Sequence, residues 1–554
     1  MPTKQSDFSA RPAKAKTPLM QQLQKAFRIA LFSQKNKIPA DEAVGVISGH
    51  NRSRRRFLEQ TTKGLIGLGI SNMILQGCAK GVEVDDNNRA DATFLQKMNG
   101  RNQPKIAIVG AGIAGLNCAF TLQKQGINAS IYEANTRTGG RIITANNIMA
   151  NGLSTELGGE FIDSGHKDML KLAAYFGLPL IDVESPANNG FIKDAYYFNG
   201  QHYSEQDVIN AFVPIAATMQ ADIDQLPDVI TYNNPGSAVL FDNISLEQYI
   251  SGLNCAGWLK ELLTTAFVTE YGLDAGLQSC INILYLISTD TSAGKFEIFG
   301  DSDERYKIKG GNQKLTNALT QQLSNQIYYE HKLEAVNQKA NGKYVLTFRK
   351  QNNTLTDERV DFVVFAIPFS ILRNVDFKFS LPTWKSNAIN NLGYGTNAKL
   401  LIGFRSRLWR TQGFRGYTFT DESFQNGWDN SELQSGTAGG FTMYFGGTPG
   451  VQLGSGTAQS QAAIHLPGFG KVYPGALQQL NGNVQRYHWP TSPYIKGSYA
   501  CYKTGQFTTI AGAERKPVGN MYFAGEHCSL NYQGFMNGGA ETGRKAAEKI
   551  LENI

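Results

Sequence analysis

The sequence has few features of a disulfide-stapled or metal-binding protein. Its six cysteines form no CxxC pair and no set with closely spaced histidines. Disulfide frameworks and zinc sites depend on such groupings. We therefore expect neither a disulfide scaffold nor a metal ion.

The body of the chain also lacks a basic patch. The net charge of +7 comes from the first 63 residues, which contain 13 Lys or Arg and 4 Asp or Glu. The remaining residues are slightly acidic in sum. This distribution argues against a nucleic acid partner, because nucleic acid binding requires basic residues clustered on the folded domain.

Internal repeats are absent, and the length of 554 residues with 41% hydrophobic residues suits two domains with sizeable cores. The chain contains 58 glycines, yet its charged fraction of 18% is ordinary. Glycine at this abundance indicates many tight turns and close approaches of the backbone to a ligand, and not disorder.

The N-terminal region has the features of an export signal. Paired arginines Arg54 and Arg55 lie in residues 53–58, and the uncharged, mildly apolar residues 64–78 follow. This arrangement resembles a twin-arginine signal, and the apolar stretch is too short and glycine-rich to span a bilayer. It predicts a periplasmic or secreted protein. A basic arm beside a buried helix is the alternative.

Residues 1–78 are therefore assigned as a leader, and the polar residues 79–103 as a linker. The leader ends in Cys78, which resembles the modified cysteine of a lipoprotein. Gln76 departs from the small or branched residue usual before such a cysteine. A lipid-anchored and an unanchored mature protein both stay open.

A dinucleotide-binding motif begins the body of the chain. The apolar, strand-like residues 105–109 are followed by Gly110, Gly112 and Gly115, then by a helical pattern and a second strand that ends at Glu133. In such a βαβ unit the glycines permit the tight turn, the approach of the pyrophosphate and close helix packing. Glu133 would accept hydrogen bonds from the ribose hydroxyls.

Further motifs decide between flavin and nicotinamide. Arg137 and Arg141 follow Glu133, residues 156–163 contain Gly158 and Gly159, and the C-terminal residues 519–540 contain Gly525 and Glu526. These motifs resemble the flavin monoamine oxidase and L-amino acid oxidase family, and the resemblance covers residues 104–554. It implies an FAD cofactor and an α/β fold, in which an FAD-binding Rossmann-like domain is interleaved with an α+β substrate domain.

The alternating strand and helix patterns divide these domains along the chain. We expect the FAD-binding domain to comprise residues 104–170, 300–375 and 485–554, and the substrate domain residues 171–299 and 376–484. The residues that the resemblance and the motifs assign to the cofactor are Gly110, Gly112, Ala114, Gly115, Glu133, Arg137, Gly140, Arg141, Gly158, Gly159, Val336, Trp489, Gly525, Glu526, Phe535 and Met536. Ser498 stands where relatives with covalent flavin have cysteine, so non-covalent FAD is expected.

The same resemblance assigns the chemistry to three residues. Lys399 lies in a strand-like apolar run, where an ammonium group is costly unless it has a function. It matches the family lysine that holds a water against the flavin. Tyr499 and Phe535 match the two aromatic positions that flank the substrate amine, and both are assigned as catalytic and substrate-binding. An exposed strand-edge lysine and two core aromatics are the alternatives.

The expected reaction is oxidative deamination of an L-amino acid, which releases ammonia and hydrogen peroxide and consumes dioxygen. Arg415 is the candidate partner for the substrate carboxylate, because an arginine used by some relatives is replaced by Phe161. The alternatives are a monoamine or polyamine oxidase, a flavin dehydrogenase or desaturase, and a non-catalytic exported flavoprotein. A homo-oligomer also stays open.

Overall fold

The structure is a computed structural model, and it describes residues 103–287 and 303–554 together with Ala30. The predicted leader with Arg54, Arg55 and Cys78, and the linker up to residue 102, lie outside the described residues. Among the residues that are described, no helix is long and apolar enough to cross a membrane.

Strands and helices alternate along the described chain. The strands are β1 (Ile106–Val109), β2 (Ser130–Tyr132), β3 (Thr144–Asn146), β4 (Ser154–Glu156), β5 (Leu180–Asp182), β6 (Ile192–Phe198), β7 (Gln201–Tyr203), β8 (Tyr306–Ile308), β9 (Ile327–Tyr328), β10 (His331–Gln338), β11 (Tyr344–Lys350), β12 (Leu355–Val360), β13 (Phe362–Phe365), β14 (Asp376–Phe377), β15 (Ala398–Phe404), β16 (Phe414–Thr420), β17 (Asn426–Asp429), β18 (Gly439–Phe445), β19 (Leu480–His488) and β20 (Met521–Phe523). The α-helices are α1 (Ile113–Lys124), α2 (Lys167–Tyr175), α3 (Glu205–Ile223), α4 (Leu246–Gly252), α5 (Gly257–Tyr271), α6 (Ile281–Ile287), α7 (Gln313–Gln322), α8 (Phe369–Leu372), α9 (Thr383–Asn391), α10 (Leu408–Thr411), α11 (Gly447–Gln452), α12 (Ala458–Val472), α13 (Gln506–Thr509) and α14 (Met536–Leu551).

A parallel sheet with the order β20-β13-β1-β2-β9 forms the first layer of the fold. Every residue of β1 is buried, as expected for a strand that is covered on both faces. The strands come from all three segments assigned to the FAD-binding domain. The predicted α/β class with a Rossmann-like domain is confirmed.

Helix α14 brings the C-terminal segment onto the N-terminal βαβ unit. A Cβ atom on Gly543 of α14 would lie 2.0 Å from the carbonyl oxygen of Ala114 in α1. The Asn117 side chain donates a hydrogen bond of 2.7 Å to the Ala540 carbonyl oxygen. Only glycine at position 543 permits this close contact between the two helices.

A mixed sheet with the order β19-β15-β18-β17-β16-β6-β7 forms the second large layer. Its strands pair antiparallel except for β16 with β6. Strand β19 crosses the predicted domain boundary at residue 485, so this boundary falls inside a strand. A smaller sheet has the order β12-β11-β10-β14.

Candidate active site

One cavity extends from the carboxyl ends of β1 and β2 to the inner face of the mixed sheet. Its two ends differ in composition. We call the part around Gly110, Gly112, Glu133 and Arg137 the dinucleotide end. The part lined by Phe161, Glu304, Lys399, Trp428, Tyr444, Tyr499 and Phe535 is called the aromatic end.

Most residues predicted for the site line this cavity. They are Gly110, Gly112, Ala114, Glu133, Arg137, Gly140, Arg141, Gly158, Gly159, Lys399, Trp489, Tyr499, Gly525, Glu526, Phe535 and Met536. Their individual roles stay predictions, but the structure brings them together around a single space.

Two residues predicted to contact the cofactor do not line the cavity. A Cβ atom on Gly115 would lie 1.9 Å from the Gly110 carbonyl oxygen, so Gly115 allows the tight turn to form. Val336 is fully buried in the core, and Leu333 of the same strand lines the cavity instead. Leu333 pairs with Phe348 and Val336 with Leu346, so both side chains lie on the same face of the sheet. The correction arises because the cavity reaches only the first three residues of β10, His331, Lys332 and Leu333.

Arg415, the predicted carboxylate partner, also lies away from the lining. Its guanidinium group donates hydrogen bonds to Glu432 (3.0 Å) and Glu184 (3.1 Å). A third hydrogen bond of 2.9 Å goes to the Val183 carbonyl oxygen. These acceptors satisfy the group within the protein, so the structure gives Arg415 a packing role and does not place it beside a substrate.

The dinucleotide end has acceptors and donors suited to a ribose and a diphosphate. Glu133 accepts the backbone N–H of Ala111 at 2.7 Å on one oxygen and that of Asn135 at 2.8 Å on the other. Each oxygen keeps a lone pair for a hydroxyl group. Helices α1 and α14 both begin at the cavity without a side-chain cap, which leaves their first N–H groups available to an anion.

Two glycines let the chain pack closely between the two ends. A Cβ atom on Gly158 would lie 1.8 Å from the Arg141 carbonyl oxygen, and one on Gly159 would lie 2.7 Å from Met536 Cγ. Side chains at these positions would therefore displace the surrounding chain. Both glycines line the cavity, and we call them the glycine cradle. Contact between this cradle and the ring system of a flavin stays a prediction.

Arg141 and Glu526 form an ion pair of 2.9 Å beside the cradle. Burial would raise the pKa of Glu526, but the charge of Arg141 and hydrogen bonds such as that from the Gly534 N–H outweigh it and lower this pKa. Glu526 is therefore an ionised acceptor that holds Arg141 and the start of the C-terminal segment.

All three N–H bonds of the Lys399 ammonium group point to hydrogen-bond acceptors within the protein. Its ammonium group donates to the carbonyl oxygens of Glu156 (3.0 Å) and Gly158 (2.9 Å) and to the Glu160 carboxylate (3.0 Å). The other Glu160 oxygen accepts from Lys307 at 2.9 Å. Burial would raise the pKa of Glu160, but the charges of both lysines outweigh it and lower this pKa. Lys399 thus holds the backbone of the glycine cradle.

Aromatic rings surround the space next to Lys399. The Tyr499 hydroxyl group lies 3.0 Å from that of Tyr444 and donates to the Thr269 carbonyl oxygen at 3.2 Å. The rings of Trp428 and Phe161 are 5.8 Å apart. Such walls exclude water and accept a partial positive charge on their ring faces.

Sequence reasoning missed Glu304, Trp428 and Tyr444. In the mixed sheet, Lys399 pairs with Tyr444, and Tyr444 pairs with Asn426 two residues before Trp428. Residues paired across strands, and residues two apart, share one face of a sheet. Register between distant strands was therefore the missing signal for Trp428 and Tyr444, and no sequence motif contains it. Glu304 lies outside this sheet, just before β8, and has no such signal.

The comparisons with known proteins agree with this geometry. The family model of flavin containing amine oxidoreductases matches residues 113–551. The chain belongs to this family. Its members bind a flavin and act on small-molecule amines, and these statements hold for this chain at that level of detail.

Particular relatives share about a quarter of the sequence or less. An L-amino-acid oxidase of Siganus canaliculatus is 24% identical over 498 residues, which cover 87% of this chain and 90% of that protein. A flavin-containing amine oxidase of Oncorhynchus mykiss is 22% identical over 478 residues, which cover 82% and 87%. The solved structure of cyclohexylamine oxidase from Brevibacterium oxydans is similar with a TM-score of 0.70, 21% identity and coverage of 82% and 99%.

Proposed function

We propose that this protein is an FAD-dependent amine oxidase that converts a small primary amine to an imine, with dioxygen as the electron acceptor. Water then hydrolyses the imine to a carbonyl compound and ammonia. One observation carries the proposal: a single cavity joins a dinucleotide site to the aromatic end, where Lys399 and Glu304 are the two charged side chains among the lining residues named above.

The chain's own residues suit FAD. Glu133 would hold the ribose, the first turns of α1 and α14 the diphosphate, and the Gly158–Gly159 cradle the ring system. Bound FAD would supply the two-electron oxidation of the C–N bond. Within the described residues no cysteine lines the cavity, and Ser498 donates to Asn397 at 2.6 Å. Non-covalent binding is therefore proposed, and acid precipitation should release all yellow colour from the polypeptide.

The aromatic end prepares the substrate. Tyr499 and Phe535 would enclose the amine, and the surrounding rings would remove its hydration. The ammonium group of Lys399 lies at the border with the cradle, where a positive charge stabilises anionic oxygen species. Its three hydrogen-bond partners keep it in place without water.

The test is anaerobic mixing of the holoenzyme with a panel of primary amines, followed by admission of oxygen. We expect bleaching of the flavin absorbance, and then stoichiometric hydrogen peroxide and ammonia. Bleaching without peroxide would indicate a dehydrogenase that uses another acceptor. Absence of bleaching with every amine would refute the proposed function.

An L-amino acid is the second candidate substrate, and the likeness to L-amino-acid oxidases favours it. Against it, the described lining residues contain no arginine except Arg137 and Arg141, and Arg141 is paired with Glu526. A buried carboxylate needs such a partner. Comparison of kcat/KM for an L-amino acid and its decarboxylated amine decides between the two, and we expect the amine to be faster.

We also propose that the protein is exported through the twin-arginine route, with or without lipid attachment at Cys78. The residues of the signal support this proposal, and export of a folded protein suits one that carries a cofactor. Replacement of Arg54 and Arg55 by lysine preserves the charge. It should retain the protein in the cytoplasm, because the pair is read by a receptor. Unchanged export would refute the signal.

A further inference from the structure

A buried carboxyl group at the aromatic end has no partner among the residues that the structure describes. Glu304 lines the cavity and is only 4% exposed. Among the described residues none forms a hydrogen bond or ion pair with its carboxyl group, and its Oε2 atom is shielded from solvent. A buried polar group without a partner destabilises the fold, so a ligand that pairs with it is bound favourably.

The backbone fixes this carboxyl group at a defined place. The Glu304 N–H donates to Asp163 Oδ1 at 3.0 Å, and Tyr306 and Ile162 exchange two backbone hydrogen bonds of 2.8 Å. Glu304 also has a φ of 45°, which is unfavourable for a residue with a side chain. Strain of this kind persists where the surrounding structure enforces it, and such positions cluster at functional sites.

Contacts link Glu304 to both predicted walls of the amine site. On one side, Asp163 also donates its N–H to His166 at 2.9 Å, and the His166 ring lies 4.9 Å from that of Phe535. On the other side, the charge of Glu304 acts on Tyr444, which is hydrogen-bonded to Tyr499. Glu304 lines the same cavity as Phe535, Tyr444 and Tyr499.

The neighbouring charges make this carboxyl group a stronger base than an exposed one. Burial is the main cause that raises the pKa of Glu304, and the charges of Asp163 and Glu270 raise it further. The charge of Lys193 lowers the pKa of Glu304, but the Lys193 ammonium group also lies 3.7 Å from the Glu184 carboxylate. The negative charge of Glu160, which would raise the pKa of Glu304, is paired with Lys307 and Lys399. The titratable groups that act on Glu304, or on which it acts, are Glu160, Asp163, Lys193, Glu270, Tyr417 and Tyr444.

We propose that Glu304 is the catalytic base that takes the proton from the substrate ammonium group, so that the amine is neutral when it is oxidised. The step is a proton transfer only: R–NH3⁺ and the Glu304 carboxylate become R–NH2 and the carboxylic acid, and no electrons move. The proton leaves to solvent with the product. This inference rests on the proposed function and adds a residue to it.

An organic cation explains the site better than a metal ion. Within residues 103–287 and 303–554 no group of three or more His, Cys, Asp or Glu side chains is arranged to hold a metal. The rings of Phe161, Trp428 and Tyr444 line the space beside Glu304 and provide no metal ligand, but they do accept the methylene groups and the partial charge of an amine. A second, distal ammonium group is the competing occupant.

The test measures kcat/KM against pH for wild-type holoenzyme and Glu304→Gln, each with a primary amine and with its much less basic β-fluorinated analogue. Gln has the shape of the neutral acid and should preserve folding, which flavin content verifies. At neutral pH we expect the variant to lose about 100-fold on the ordinary amine. The loss should shrink as the pH approaches the amine pKa of about 10, because the amine then arrives neutral.

The fluorinated amine is already neutral and needs no base, so the wild type and Glu304→Gln should oxidise it almost equally. Fluorine also changes the reactivity of the amine, but this effect cancels in the ratio of the two kcat/KM values. Glu304→Asp keeps a carboxylate and should retain part of the activity at neutral pH. Glu330→Gln is the matched control, because Glu330 also has a positive φ, 59°, but does not line the cavity. It should behave as the wild type.

Three results would overturn the assignment. An equal loss at every pH and with both amines would mean that Glu304 is only structural. A loss confined to diamines would mean that it binds a distal ammonium group. Wild-type flavin that no amine reduces would refute the proposed function, and the base with it, and this outcome differs visibly from the other two.

Discussion

The two ends of the cavity are built in different ways. At the dinucleotide end, backbone N–H groups, helix starts and glycines face the ligand, and most of them lie within residues 109–141. At the aromatic end, side chains face the ligand. Phe161, Lys399, Trp428, Tyr444 and Tyr499 come from segments that are up to 338 residues apart in the numbering of the sequence.

The two ends of the cavity should tolerate different kinds of substitution. A backbone site is sensitive to added volume, because a methyl group meets main-chain atoms that cannot rotate away. A side-chain site is sensitive to chemistry, because each hydrogen bond or charge there has a specific partner. Substitutions at the two ends should therefore fail in distinct ways, and this difference can be measured.

The largest effect is expected from Gly158→Ala in the cradle. The new Cβ atom would lie 1.8 Å from the Arg141 carbonyl oxygen, so the backbone would have to move at a cost of more than ~3 kcal/mol. We expect no flavin-loaded protein, measured as the ratio of flavin to protein absorbance. Gly257→Ala is the control, since its Cβ atom would meet nothing within 4 Å. Normal flavin content in Gly158→Ala would contradict the expectation that this part of the site is sensitive to added volume.

Lys399→Met should slow reoxidation about 100-fold in the fraction that carries flavin, because it removes the charge at the border of the two ends. The matched variant is Lys307→Met, which removes the other cation on Glu160 but does not line the cavity. Both changes break a buried ion pair and should destabilise the fold by roughly 3 kcal/mol. Stopped-flow mixing of reduced enzyme with oxygen separates them, and equal rates would remove Lys399 from the oxygen step.

The buried carboxyl group of Glu156 should make the stability of the fold depend on pH. Burial is the main cause that raises its pKa to about 7, against the hydrogen bonds from the Asn312 N–H (2.7 Å) and Thr144 (2.9 Å). A carboxyl group with a raised pKa stabilises the fold below its ordinary pKa of about 4.5, and this stabilisation is lost as the pH rises through about 7.

Glu156→Gln does not titrate, so the stability of the wild type relative to this variant should fall by roughly 3 kcal/mol between a pH below about 4.5 and a pH above about 7. The temperature at which flavin fluorescence appears on unfolding reports this difference. A constant gap between the two proteins across this range would mean that the pKa of Glu156 is the same in the folded and the unfolded protein.

The smallest effect is expected from Tyr444→Phe. The change removes one hydrogen bond to Tyr499, which keeps its hydrogen bond to the Thr269 carbonyl oxygen. A single neutral hydrogen bond contributes about 1 kcal/mol, so kcat/KM for an amine should fall by about fivefold. A loss of 100-fold or more would show that the Tyr444 hydroxyl group contacts the substrate directly.

Prediction from sequence succeeded where function depends on neighbouring residues. Gly110, Gly112 and Glu133 lie at the cavity because a strand, a turn and a helix in succession produce one local geometry. Lys399 was found for a related reason, since an ammonium group in an apolar strand is conspicuous. Val336 was assigned to the cofactor, but the cavity reaches only the start of β10, where Leu333 lies.

Patterns among neighbouring residues were sufficient to predict the α/β class, the dinucleotide end and the family. These features depend on the periodicity of apolar residues and on the spacing of glycines. Only the tertiary structure decided which side chains line the aromatic end. It pairs Arg415 with Glu432, and among the described residues it gives the Glu304 Oε2 atom no hydrogen-bond partner. The physical reason is that the free energy of a buried charge depends on the groups that the fold brings around it, which lie far away along the chain.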